Sequence, residues 1–151
     1  MSDRFNDLIE SLATTLGLDN AQGLSSPVVL TIEDMPLTIA YDARSGGDDI
    51  LLYASLGTVP EAQELTVYRA MLEGNLLWSA TADATLGVNS ATREGMIAYR
   101  LPMDKLDGEG LSKLIAHFSE VALGWRDFVS NAGRADQAAD DASSGQPARF
   151  A

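Results

Sequence analysis

The chain contains no cysteine, which excludes disulfides and thiolate metal sites and fits a reducing cytoplasm. It has a single histidine, His117, whereas a histidine-based zinc site takes several His or Cys ligands. No apolar run approaches the roughly twenty residues needed to span a bilayer, so no membrane partner is expected. The stretch Met1-Ser2-Asp3-Arg4-Phe5-Asn6-Asp7 lacks the basic-then-apolar order of a secretory signal, and none is expected. Positive charge is scarce: 10 Lys and Arg stand against 22 Asp and Glu, a net charge of −12. The ten basic residues are scattered. Such a balance repels phosphate backbones, so no nucleic-acid partner is expected. The acidity serves solubility, or it suits a carrier that keeps an apolar, aggregation-prone client dissolved.

Signatures of catalysis are equally thin. A Ser-His-Asp site would have to use His117, and no nucleophile-elbow motif occurs. The acidic pairs Glu33-Asp34 and Asp48-Asp49 lack calcium-loop spacing. Gly46-Gly47 lacks the lysine and following helix of a phosphate loop. No enzyme, metal or cofactor is therefore expected. The rival from another class is a small enzyme with a carboxylate site, built from Glu33, Asp34, Asp48 or Asp49.

What the chain does have is periodicity. With 151 residues, 46% of them apolar, it is long enough for one domain with its own core. Ser2 caps a first helix, Asp3 complements its dipole, and Gly17 is its expected stop. Phe5, Leu8, Ile9, Leu12 and Leu16 recur at helical spacing between them. A polar connection over 19–26 leads to three strand-like runs, 28–32, 35–41 and 50–56. Asp42 to Asp49, containing Ser45-Gly46-Gly47, is a loop by composition. The third run is apolar on both faces, with Ile50, Leu52, Ala54 and Leu56 on one and Leu51 and Tyr53 on the other. It needs cover on both sides, from helices, a partner subunit or a bound ligand.

The stretch from Pro60 to Trp78 predicts a helix with two apolar stripes. At about 100° per residue, Leu65, Tyr68, Leu72 and Leu76 share one stripe. Val67, Met71, Gly74 and Trp78 share a second, almost opposite. One stripe packs on the chain's own sheet, and the other calls for a second copy. The outer stripe is expected to be Val67, Met71, Gly74 and Trp78, which makes those residues the expected dimer interface. Two further strands, 84–88 and 94–101, precede a last helix capped by Asp107 and stapled by Leu106 on Leu111. Its stripe is Leu111, Leu114, Ile115, Phe118, Ala122, Trp125 and Val129. From Asn131 to Ala151 the absence of periodicity predicts a disordered tail behind a domain of residues 1–130. The order α-β-β-β-α-β-β-α predicts an α+β fold, with helices packed on an antiparallel sheet.

Three short patterns in this order resemble a known family. They are Met71-Leu72-Glu73-Gly74-Asn75-Leu76-Leu77, then Leu86-Gly87-Val88, then Leu101-Pro102-Met103-Asp104-Lys105-Leu106-Asp107 leading into Leu111, Phe118 and Trp125. Together they resemble the class I chaperones of bacterial type III secretion, the Tir-chaperone (CesT-like) family, over about residues 4–130. Where that family often carries an acidic residue after the Leu-Gly-apolar run, this chain has Asn89, which keeps a polar turn former. The resemblance implies an acidic cytoplasmic homodimer in a bacterium, paired through the middle helix and without ATP hydrolysis. It also implies binding of the N-terminal segment of one or a few secreted effectors, held extended and ready for export. The alternative within binding proteins is a protein-interaction or regulatory module of the same fold, unrelated to secretion. Strand addition plus apolar pockets is the physical route to such binding. The candidate lining is Phe5, Ile9, Leu12 and Leu16 from the first helix, with Leu30, Ile32, Leu37, Ile39, Leu51 and Tyr53 from the sheet. About half of these are expected to be plain core.

Overall fold

In a computed structural model, residues 3–19, 26–44 and 46–144 are described, with side chains through Arg134. The elements are α1 (Asp3–Leu16), β1 (Val28–Ile32), β2 (Met35–Asp42), β3 (Asp49–Thr58), α2 (Glu64–Asn75), β4 (Thr85–Asn89), β5 (Glu94–Pro102) and α3 (Gly108–Ser144). The α+β order is the one the periodicity predicts. The expected Ser2 cap, most of the 19–26 connection and Ser45 in the 42–49 loop lie outside the described residues.

Local chemistry sets the ends of the helices. α1 closes at Gly17 (φ +68°), where the Gly17 N–H reaches Thr14 O and the Leu18 N–H reaches Ala13 O. These two bonds satisfy orphan carbonyls of the last turn. At the start of α3 the Asp107 carboxylate accepts the Gly110 N–H at 2.7 Å, as an N-cap should. The Ser11 hydroxyl accepts the Gly108 N–H, tying α1 to the foot of α3.

The five strands form one antiparallel sheet in the order β1-β2-β3-β5-β4. β1 and β2 are joined by Glu33-Asp34 alone, both at positive φ (46° and 63°), the backbone of a two-residue hairpin whose twist matches its strands. Asn89 ends β4 with its side-chain oxygen accepting the Ala91 N–H, so it makes the turn that an acidic residue would. Leu37, Ile39, Ile50, Leu52, Ala54, Leu56 and Ile97 bury one face of the sheet in a core shared with Phe5, Ile9, Leu12, Leu111, Ile115 and Phe118. Thr38, Ala40, Leu51, Tyr53 and Ala98 lie half-buried on the other face.

Two expectations are corrected. The last helix does not stop near Val129 but runs on to Ser144. Ala132, Ala135, Ala138, Ala139 and Ala142 are strong helix formers, which carry a helix on without the apolar periodicity that would mark it in a sequence. Only 145–151 of the expected tail lies outside the described residues.

The second correction concerns α2. Val67 and Met71 are 0% and 3% exposed and Gly74 is buried, so these three face the chain's own core. The stripe left in water is the other one: Leu65 and Leu72 at 71% exposed and Leu76 at 67%. Gly74 is the reason for close packing there, because a Cβ would sit 2.6 Å from Cζ2 of Trp125. Trp125 donates its indole N–H to Ala80 O at 2.8 Å and meets Phe128 edge-on. Of the four residues expected at the dimer interface, only Trp78 remains substantially exposed. Its neighbour Leu77 is the most exposed large apolar residue, and both hold positive φ in the kink after α2.

Candidate functional site

β1 forms one outer edge of the sheet, and among the described residues no strand pairs with the outer side of its backbone. Counting the antiparallel alternation from the two-residue turn, Ile32, Leu30 and Val28 exchange hydrogen bonds with β2. That leaves the N–H and C=O of Val29 and Thr31 pointing outward. The Val29 side chain is exposed on one face, while Leu30 and Ile32 lean half-buried towards the helices.

Beside this edge lies an open groove of about 730 Å³. Its walls come from the end of α1 (Leu16, Leu18), from β1 (Leu30, Ile32) and from α3 (Ile115, Leu123). Leu16 is 44% exposed and Leu18 51%. Glu33 and Glu120 are the ionisable side chains of the lining, and both are acidic. Arg126 donates to Glu33 O at 3.1 Å, which fixes the hairpin against α3. Ser119 also lines the groove, and among the described residues its buried hydroxyl has no hydrogen-bond partner.

The predicted binding residues separate into three groups. Phe5, Ile9, Leu12, Leu37 and Ile39 are core, between 0% and 2% exposed, and present no surface to a ligand. Leu16, Leu30 and Ile32 come together in the groove. Leu51 and Tyr53 are half-buried on the opposite face of the sheet, away from those three. Leu18, Ile115 and Leu123 escape sequence reasoning. Leu18 follows the helix stop, Ile115 belongs to the stripe that reads as core, and Leu123 lies outside that stripe.

A second apolar surface follows from α2. Leu65, Tyr68, Leu72 and Leu76, with the aliphatic flank of Arg69, border a shallow concavity of about 440 Å³. Asn75 sits at the end of the helix and bridges to β4, its side-chain N–H donating to Leu86 O at 3.0 Å and its Oδ1 accepting the Leu86 N–H at 2.9 Å. The amide thus imitates a paired strand and couples α2 to the sheet edge opposite β1. Its only trace in the sequence is an amide at the end of an apolar helix.

The carboxylates of the rival enzyme reading hold structure together. Glu33 and Asp34 form the hairpin. Asp48 accepts the Tyr41 hydroxyl at 2.7 Å, and this bond raises the Tyr41 pKa. Asp49 meets Arg100 at 3.1 Å. Asp42 accepts both the backbone N–H and the Nε–H of Arg44, at 3.0 and 2.9 Å, and meets Arg100 at 3.4 Å. Hydrogen bonds from Arg44 foremost, then the two positive charges, hold the Asp42 carboxyl below its ordinary pKa. His117 is exposed.

Among the described residues the sheet thus presents an outer strand, β1, beside an open and largely apolar groove. The profile of the Tir chaperone protein (CesT) family matches residues 7–126, and the chain belongs to that family of non-enzymatic chaperones. Among functionally curated proteins no relative matches. Solved structures share the fold. A chain of the ExsC-ExsE complex superposes with a TM-score of 0.68 at 18% identity, covering 85% of this chain and 96% of that one. The HopA1-SchA chaperone-effector complex gives 0.60 at 18%, covering 82% and 94%. The ExoT-SpcS complex from Pseudomonas aeruginosa gives 0.59 at 18%, covering 85% and 99%. No described helix is long and apolar enough to cross a membrane.

Proposed function

We propose that this chain is a cytoplasmic type III secretion chaperone that holds the N-terminal segment of one or a few secreted effectors in extended form. The observation that carries the reading is the free β1 edge beside an apolar groove. An effector backbone adds to the outward N–H and C=O groups of Val29 and Thr31. Its side chains enter among Leu16, Leu30, Ile32, Ile115 and Leu123. Backbone pairing is indifferent to sequence, so the pockets supply the selectivity. The unpartnered Ser119 hydroxyl adds a polar group that a bound segment can satisfy. Family membership and the complexes that share the fold support the same reading.

The working form is a homodimer paired through the exposed α2 stripe, Leu65, Tyr68, Leu72 and Leu76, with Trp78 at its margin. An apolar row of that length in water is the mark of an interface. The test is affinity capture of the tagged chain from its own cells under secretion-inducing conditions, followed by mass spectrometry and limited proteolysis. The expected result is a stoichiometric exported protein with a protected segment near its N-terminus. A clean preparation with no exported partner under those conditions would remove the function and leave the fold.

A further inference from the structure

Two cavities flank α3, and one residue lines both. The groove reaches α3 from the β1 side, along Ser112, Ala116 and Leu123. On the α2 side a smaller cavity of about 340 Å³ is lined by Ala70, Ala80, Val121, Trp125 and Phe128. Glu120 belongs to each.

The helical wheel shows how they connect. With Glu120 set at zero and about 100° per residue, Ala116 falls roughly 40° towards the groove and Gly124 roughly 40° towards the smaller cavity. The buried Leu111, Phe118, Ala122 and Val129 fall on the far side. Ala116, Glu120 and Gly124 line the ridge where the two cavities meet, with Lys113 and Asp127 on the same line about two turns before and after Glu120. Gly124 has no reason inside the chain: a Cβ there would meet nothing within 4 Å, whereas one at Gly74 would strike Trp125. Glycine within a helix costs about 1 kcal/mol relative to alanine.

We infer that this ridge is a saddle crossed by the bound segment, with one apolar side chain in the groove and a second in the pocket beside Trp125 and Phe128. Between them the segment carries a basic residue over Glu120. The inference rests on the groove being the client site. Charge selects the partner's chemistry, because the ionisable side chains lining the two cavities, Glu33 and Glu120, are both acidic. The lining residues on α3 are offset by about six positions, roughly 9 Å of axial rise, to which the crossing of the helix adds several ångströms. At about 3.3 Å per extended residue the two anchors stand roughly three to five residues apart. Ala70 lies about 140° around α2 from Leu65, so pairing through the exposed stripe leaves the pocket open.

The test uses the full chain and fluorescein-labelled 12-residue peptides of serine and threonine. The peptides carry one leucine, or two leucines two to seven residues apart with lysine or glutamate midway, and binding is read by anisotropy. Lysine peptides with leucines three to five apart should bind at least ten-fold more tightly than one-leucine peptides. Gly124→Leu should remove that gain, Glu120→Lys should shift the preference to glutamate, and Leu30→Glu should weaken every peptide. A two-leucine gain that survives both Gly124→Leu and Glu120→Lys would overturn the saddle while the groove stands. Peptides that do not bind, or that ignore Leu30→Glu, would overturn the groove and the saddle with it.

Discussion

Val67 and Met71 on one side of α2, and Leu65 and Leu72 on the other, are of similar apolarity, yet the first pair is sealed against the core while the second lies in water. Apolar spacing records that a helix face needs cover. It does not record what supplies the cover. The distinguishing detail lies elsewhere in the chain, in Trp125, whose indole occupies the notch left by Gly74 and fixes which face turns inward.

That contrast can be broken by exchanging the environments. Met71→Glu would bury an unpaired carboxylate in the core, and a loss on the order of 4 kcal/mol is expected, read as a collapse of the urea unfolding midpoint. Asn75→Ala strips two hydrogen bonds from Leu86 and leaves that backbone unpaired. It should cost about 1–3 kcal/mol, with hydrogen exchange accelerated in β4 before other strands. On the wet face, Leu72→Glu should leave the protomer's circular dichroism and intrinsic stability within about 0.5 kcal/mol of the parent. Its effect should fall on mass, with light scattering reporting a monomer where the parent reports a dimer. A Leu72→Glu chain that kept its dimer mass would move the interface away from α2.

The smallest effect concerns acid. Because the folded Asp42 carboxyl titrates below its unfolded value, its contribution to stability is fully present above that unfolded value, near pH 4. The contribution is lost as pH falls through the lower, folded pKa. Asp42→Asn should lower stability most at neutral pH, where the contribution is fully present, and flatten the acid limb below about pH 4, where the parent loses that contribution and the two curves converge.

Much of the fold was legible because its signals are local. Strand alternation from Leu37 to Tyr41, the Asp107 cap, the Gly17 stop and the Glu33-Asp34 link each depend on a few neighbouring residues. The site was legible only in part. Phe5, Ile9 and Leu12 share a stripe with Leu16, and what separates the buried three from the exposed fourth is the packing of α1 in the folded chain, a tertiary fact. Leu37 and Ile39 sit one strand inward from Leu30 and Val28, their partners in the register, and it is strand order that makes β2 interior and β1 an edge. Ile115 reads as core because a helix bordering both a core and a groove carries its groove residues at the margin of the core stripe, and Leu123 falls just outside that stripe.

The brevity of β1 has a further consequence. With five residues and its turn immediately after, this strand offers Val29 and Thr31 alone as outward rungs. A ladder so short cannot template long cross-β stacking, which is the usual hazard of a bare edge. At about 1 kcal/mol net for each backbone bond, a segment paired on it would be held weakly. Under tension from one end, such a segment would come away rung by rung without the protomer unfolding.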